Sequence, residues 1–358
     1  MQACREHEIR EQARELNKPL TNAGVKVSAR PSGKRQDVPS HRRVALGMLT
    51  LSPPPAYLVT AANPAPSVAA AAPRALVFGG SGQIGERLLT RLLGRGWQVT
   101  AWSRAPRAAR AGLIWRQGDL AAPAVAGESF EVIFSCGPLD HFAHWYETNA
   151  VSTPRIVAFG STSVEVKEHS IDAAERDVAQ RLANAEQALF SAAKARGAAA
   201  TVLRPTLVYG AGRDRTLTQI AGLARRTGAF VLPANATGLR QPVHVDDLAS
   251  AALAVVTQPA THQRSYAVGG GEVLAYTQMV ERVLEALPRP ARLYQVPPSL
   301  FGLALTTAQR LGRLRSLNTA ALQRMRDDLV FDLEPARRDF GYAPRAFRPL
   351  PEELGIGE

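Results

Sequence analysis

Arg74-Ala-Leu-Val-Phe78-Gly79-Gly-Ser-Gly82-Gln-Ile-Gly85-Glu-Arg-Leu-Leu-Thr-Arg-Leu-Leu93 decides the fold. Ala75 to Phe78 is a short apolar run, and leucines 88, 89, 92 and 93 recur at helical spacing, so the stretch predicts strand, glycine turn and helix. Gly79 permits a tight turn, Gly82 lets the backbone approach a pyrophosphate, and Gly85 lets the helix pack closely on the strand. Ser81, Gln83 and Ile84 complete the turn. A pyrophosphate there faces a helix N-terminus, where free N–H groups and the macrodipole favour an anion. A glycine triplet alone is a weak signal whose plain alternative is a structural turn. Here the flanking strand and helix supply the context that a dinucleotide site requires.

Moving outward, Trp97 to Trp102 predicts the second strand, ending at Ser103-Arg104-Ala-Pro-Arg107. An NAD-preferring site usually offers the ribose an acid at this point. Arg104 instead offers a permanently charged planar fork suited to a 2′-phosphate, which favours NADP over NAD; the alternative is a solvated surface arginine. Leu113 to Arg116 predicts the third strand, and Gly118-Asp119-Leu120 follows it, placing Asp119 and Leu120 beside an adenine unless they only form a turn. Phe130 to Cys136 predicts the fourth, with Cys136 and Gly137 in the cofactor site at its end.

Val77 to Gly85, Gly118-Asp-Leu120, Arg204-Pro-Thr-Leu-Val-Tyr-Gly210 and Pro242-Val-His-Val-Asp-Asp-Leu248 occur in one order. In these motifs the chain, from about Arg74 to Arg348, resembles the NAD-dependent epimerase/dehydratase branch of the extended short-chain dehydrogenase/reductases. The resemblance implies an α/β Rossmann fold, a doubly wound parallel sheet with a smaller C-terminal substrate-binding domain. The expected divisions are a disordered leader 1–73, a cofactor-binding domain 74–235, a mainly substrate-binding C-terminal part 236–348 and a tail 349–358.

The implied chemistry is hydride transfer at a nicotinamide, assisted by a tyrosine, a lysine four residues later, and a Ser or Thr at a strand end. Ser161 matches the serine position after a predicted fifth strand, Ile156 to Gly160, with Thr162 and Ser163 expected at the substrate; the alternative is three hydroxyls bonding a turn. The helix that should carry tyrosine and lysine, Ala173 to Glu186, has no tyrosine. Aligning on the cation puts Asp177 and Arg181 in the two places; aligning on Glu186 puts Val178 and Leu182 there. Arg181 is retained as a catalytic candidate that could hold a ribose hydroxyl or phosphate. Tyr146 and Tyr209 are candidates for a relocated acid, Tyr209 being expected to pack.

By the same resemblance Arg213 and Arg240 face a substrate diphosphate as a cationic clamp, unless Arg240 pairs with Asp246 or Asp247. His244 is expected to bond structurally, and Asp246 and Asp247 to cap the run Leu248 to Val256. Tyr276 to Leu287 predicts an amphipathic helix. Phe301 to Arg315, apolar and basic on alternating faces, is expected to pack on the sheet, the alternative being contact with a membrane surface or an acidic partner.

The formal charge of +12 over 358 residues does not indicate nucleic acid, because residues 1–75 hold eleven Lys and Arg against five acids and so carry half the surplus. Met48 offers an alternative start within that leader, whose glutamates argue against a mitochondrial signal. Cys4 and Cys136 give neither metal spacing nor a disulfide framework. No apolar run approaches the ~18 residues of a membrane span. The expectation is a cytoplasmic NAD(P)-dependent oxidoreductase or epimerase/dehydratase acting on a sugar-nucleotide-like or other small carbonyl or hydroxyl substrate. No metal and no nucleic-acid partner are expected, and a homodimer is left open. The alternative is a noncatalytic NADP-binding sensor or structural protein.

Overall fold

The computed structural model describes residues 71–118, 125, 127–310 and 319–357. Asp119, Leu120, Cys4 and Met48 lie outside them, as does nearly all of the leader. From Ala71 onward the chain is one compact unit. In chain order its first elements are β1 (Arg74–Phe78), α1 (Gln83–Leu93), β2 (Gln98–Ser103), β3 (Leu113–Gln117), β4 (Val132–Ser135), α2 (Leu139–Thr148), β5 (Arg155–Phe159), α3 (Ser163–Val166), α4 (Ala173–Ala195) and β6 (Ala199–Pro205). There follow β7 (Val208–Tyr209), α5 (Leu217–Thr227), β8 (Ala229–Pro233), β9 (Leu239–Arg240), β10 (Val243–His244), α6 (Val245–Ala254), β11 (Arg264–Val268) and β12 (Leu274–Ala275). The last are α7 (Tyr276–Glu285), β13 (Arg292–Val296), α8 (Pro298–Arg310), α9 (Thr319–Arg324) and α10 (Glu334–Phe340).

Seven strands form one parallel sheet in the order β11-β6-β5-β4-β1-β2-β3, the doubly wound arrangement the motifs predict. Both faces are covered at the centre of the sheet, so β1, β4 and β5 are buried nearly end to end rather than alternating with exposed polar residues. On β1, Ala75 and Val77 enter a core shared with α1 and α6, while Leu76 and Phe78 enter the opposite core under α2 and α4. There Phe78 packs on Trp145 with ring centroids 4.4 Å apart. Strand order reverses between β1 and β4, and a crevice at the carboxyl ends of such a pair is where doubly wound folds bind ligands.

A smaller lobe packs α5 and α7 with the β8–β13 pair around Leu217, Ile220, Met279 and Val283. The two bodies are interleaved in sequence and do not divide at 235/236. After β10 the chain returns to the sheet, where α6 and α10 cover one face and β11 pairs with β6, satisfying backbone that would otherwise be an open edge. The helix expected on the sheet from Phe301 is α8, which lies against β8 of the small pair. His244, not the aspartates, caps α6: its Nδ1 accepts from the Asp246 N–H at 3.1 Å. Asp246 instead binds Arg91 at 2.8 Å and Asp247 binds Arg345 at 3.0 Å. Among the described residues no helix is long and apolar enough to cross a membrane.

Candidate active site

The glycine turn occupies the reversal point. Gly79 has φ +69°, and a Cβ there would stand 2.7 Å from the Cys136 carbonyl carbon at the end of β4. A Cβ on Gly85 would stand 2.1 Å from the Gly79 carbonyl oxygen. That oxygen accepts from the Gly82 N–H at 2.9 Å, which closes the turn. Gly82 is the N-cap of α1 and has no side chain to cap it, so the Gln83, Ile84 and Gly85 N–H groups have no acceptor among the described residues. Gln83 Oε1 is buried without a partner. A backbone cradle with no room for side chains and unanswered polar groups fits a dinucleotide pyrophosphate.

Around it, the Cys136 N–H donates to Phe78 O at 2.9 Å, joining the ends of β1 and β4, with Gly137 next in the crevice. Burial pushes the Cys136 thiol up to about 12, so it is a neutral wall. Arg104 follows β2 directly, is exposed, and has no carboxylate partner among the described residues. Arg107 lies over the Trp115 ring at 5.4 Å and 3.5 Å from Glu86.

Arg213 lies at this turn. Its Nη1 donates to Ser81 O at 3.1 Å and its Nη2 is 3.5 Å from Glu86. Asp214 explains why: its Oδ1 accepts from the Thr216 and Leu217 N–H groups at 3.0 and 2.5 Å, capping α5. The arginines on either side of this cap diverge, Arg213 to the glycine turn and Arg215 to a neighbouring cavity.

That cavity, of about 1050 Å³, opens beyond β5 and β6 and is lined by Ser161, Thr162 and Ser163. Ser161 Oγ accepts from the Ser163 N–H at 3.1 Å, which leaves its own O–H free to donate. Thr162 spends its hydroxyl on Pro205 O at 3.1 Å, the turn role that was the alternative for all three. Arg240 also lines the cavity, but its guanidinium donates to the carbonyls of Leu239, Asp327 and Arg324 and lies 5.0 Å from the Tyr276 ring centroid. It pairs with neither Asp246 nor Asp247. The structure therefore does not assemble Arg213 and Arg240 as one clamp.

Arg181 is not brought to Ser161. It is exposed, held by Asp177 at 2.9 Å and by Asp140 of α2 at 3.1 Å, because position 181 falls on the solvent side of the α2–α4 seam. Tyr146 is fully buried in the core, and Tyr209 is edge-on between His244 and Phe347, where burial raises its phenol. Neither lines the cavity. The titratable groups that do include Lys167, Arg215, Arg324 and Tyr276, none of which the motifs singled out for the site. Lys167 Nζ is 3.8 Å from Glu175, which also binds Arg324, and burial raises the Tyr276 phenol. Only Arg215 carried a usable signal, since a residue on the far side of a capping aspartate must leave the turn in another direction.

The family model described as NAD dependent epimerase/dehydratase family matches residues 75–185 and 178–269, more than half of the chain. A 2-alkyl-3-oxoalkanoate reductase of Stenotrophomonas maltophilia (strain K279a) is 27% identical over 322 residues, covering 75% of this chain and 94% of that protein. UDP-glucuronic acid 4-epimerase from Bacillus cereus, in complex with NAD, superposes with TM-score 0.59 at 12% identity over 79% of this chain and 98% of its own. UDP-glucose 4-epimerase from Thermotoga maritima, with UDP-glucose, gives TM-score 0.56 at 15% identity over 79% and 96%. These two share the fold with this chain.

Proposed function

We propose that this chain, which belongs to the NAD-dependent epimerase/dehydratase family, is an NADP-dependent oxidoreductase interconverting a carbonyl and a hydroxyl on a substrate held beside Ser161. The carrying observation is the adjacency of a pyrophosphate cradle at Gly79–Gly85 and a cavity that begins at Ser161, both at the carboxyl end of one sheet. Gly79, Ser81, Gly82, Gln83, Ile84 and Gly85 would hold the dinucleotide, with Gly137 beside it and Arg104 on the 2′-phosphate. A bound nicotinamide supplies or accepts hydride. Ser161, its oxygen fixed by the Ser163 N–H, orients the substrate oxygen through its O–H. Lys167 and Tyr276 line the same cavity and can carry a proton, which makes them the candidates for the role that α4, lacking a tyrosine, does not supply. The name of the Stenotrophomonas relative supports a 3-oxo acid over a sugar nucleotide, and so does a wall in which most side chains are apolar. The same reading places the protein in the cytoplasm and gives Arg240, Tyr276, Val296, Leu300 and Phe301 of the cavity wall to the substrate side.

The absence of tyrosine from α4 supports a second reading, a noncatalytic NADP-binding protein. Titration of the full chain with NADPH and NADH, followed by NADPH oxidation with 3-oxo acids, separates the two. Tighter NADPH binding that Arg104→Ala abolishes, together with turnover, is the expected result. Binding without turnover of any carbonyl supports the second reading, and no binding of either cofactor overturns both.

A further inference from the structure

We infer that the cavity takes an aliphatic chain lengthwise, with a carboxylate at Arg215 and the chain end emerging between α5, β8 and α8; this rests on the reading of the cavity as the substrate site. Its long wall is one stripe of α5. Thr216, Gln219, Ile220, Leu223 and Thr227 all line it, at the three- and four-residue spacing of a single helix face, with Arg215 just before the first. From Arg215 to Thr227 the stripe extends about 18 Å at the helical rise. It changes chemistry along its length. Arg215, Thr216 and Gln219 are polar and share their end of the cavity wall with the start of α5, Ile220 and Leu223 continue it as hydrocarbon, and Thr227 at the far end spends its hydroxyl on the Leu223 and Ala229 carbonyls.

The apolar end is completed by other elements. Phe230 and Val231 of β8, Val296 of β13 and Leu300 and Phe301 of α8 line the same space. Leu223, Val231 and Leu300 are 43%, 45% and 57% exposed while also lining the cavity, so this end opens to solvent through an apolar rim. Arg215 is exposed and has no carboxylate partner among the described residues, which leaves its fork for a ligand carboxylate. Arg240, by contrast, is saturated by carbonyls, and Lys167 and Arg324 share Glu175. A sugar nucleotide would lay hydroxyls and a diphosphate along Ile220, Leu223 and Phe230, where no side chain can answer them. At about 1.2 Å of advance per bond in an extended chain, roughly fifteen carbons span the stripe.

Calorimetric titration of the full chain with hexanoate, octanoate, decanoate, dodecanoate and tetradecanoate tests this without any turnover. Affinity is expected to rise roughly fourfold per methylene, the factor equivalent to about 0.8 kcal/mol per buried CH₂, until the stripe is filled. Leu223→Asp should flatten that rise and leave hexanoate unchanged; Arg215→Met should weaken all five acids about equally and bring dodecanoate down to the level of 1-dodecanol. Affinity independent of chain length, dodecanol equal to dodecanoate in the unaltered protein, or UDP-glucose binding more tightly than dodecanoate overturns the inference. NADPH titration of each variant is the control. A protein that binds NADPH but not dodecanoate loses only this inference, whereas one that binds dodecanoate but neither nicotinamide cofactor loses the proposed reaction.

Discussion

Arg213 donates to the Ser81 carbonyl at 3.1 Å, so the loop after β7 is tied to the glycine turn after β1 across more than a hundred residues of chain. Arg87 makes the reverse tie, donating to Gly210 O at 3.4 Å. A cation at this point lies beside the free N–H groups of α1 and would add to their attraction for a pyrophosphate. Arg213→Ala is expected to weaken NADPH binding about tenfold, the scale of one hydrogen bond to a charged group. Dodecanoate binding should stay unchanged. Calorimetry with each ligand checks this; a loss confined to the acid would return Arg213 to the substrate side.

The contact between Gly85 and Gly79 makes a sharper demand. With 2.1 Å between a Cβ at 85 and the Gly79 oxygen, Gly85→Ala must push α1 away from β1 or open the turn, at a cost of about 1–3 kcal/mol. Gly82→Ala meets the same oxygen only at 3.1 Å. Thermal unfolding should show a larger drop in Tm for Gly85→Ala than for Gly82→Ala, and NADPH binding should be lost in the first. Equal drops would mean that the closer approach at Gly85 carries no extra cost, against the geometry of the turn.

How far the sequence discloses this site follows from how local each signal is. The turn was legible because its glycines, strand and helix are contiguous, and the doubly wound parallel sheet followed from the resemblance that this and the later motifs carry. Arg181 was misplaced because alignment on a cation says nothing of which way a helix face turns; only the α2–α4 packing decides that. Arg213 was assigned to the substrate because the capping role of Asp214, which separates it from Arg215, depends on where α5 begins. Tyr276, Leu300 and Phe230 reach the cavity from the small lobe, far along the chain from Ser161, and no spacing rule links them to it. Which residues after 236 rejoin the sheet was not legible, because an edge strand added by a late return, as β11 is, leaves no local mark.

Glu186 joins three elements from inside the protein. Arg204 of β6 donates to its two carboxylate oxygens at 2.8 and 2.6 Å, and Ser265 of β11 donates at 2.7 Å. With Glu186 only 4% exposed, Glu186→Ala would strand a largely buried guanidinium and is expected to destabilise by about 3–5 kcal/mol. Glu186→Gln, which keeps one acceptor, should lose less. Urea unfolding of the three proteins gives the ranking, and an alanine variant as stable as the parent would mean that Glu165, 2.7 Å from Arg204, carries the charge alone.

Cys136 stands where β4 meets the cofactor crevice, and burial pushes its thiol up to about 12. The folded protein therefore keeps a proton that an unfolded chain releases once pH passes the ordinary thiol range. Its linkage contribution makes stability fall as pH rises from that range toward 12, and below it Cys136 has no effect. The same proton blocks nucleophilic attack, since the thiolate is the reactive form. Native protein treated with iodoacetamide at mildly alkaline pH should be alkylated at half-buried Cys136 far more slowly than protein in urea, as read by mass spectrometry. Alkylation of the native protein at the unfolded rate would show the crevice wall to be open to solvent, and would remove the enclosed carboxyl end on which the cofactor site depends.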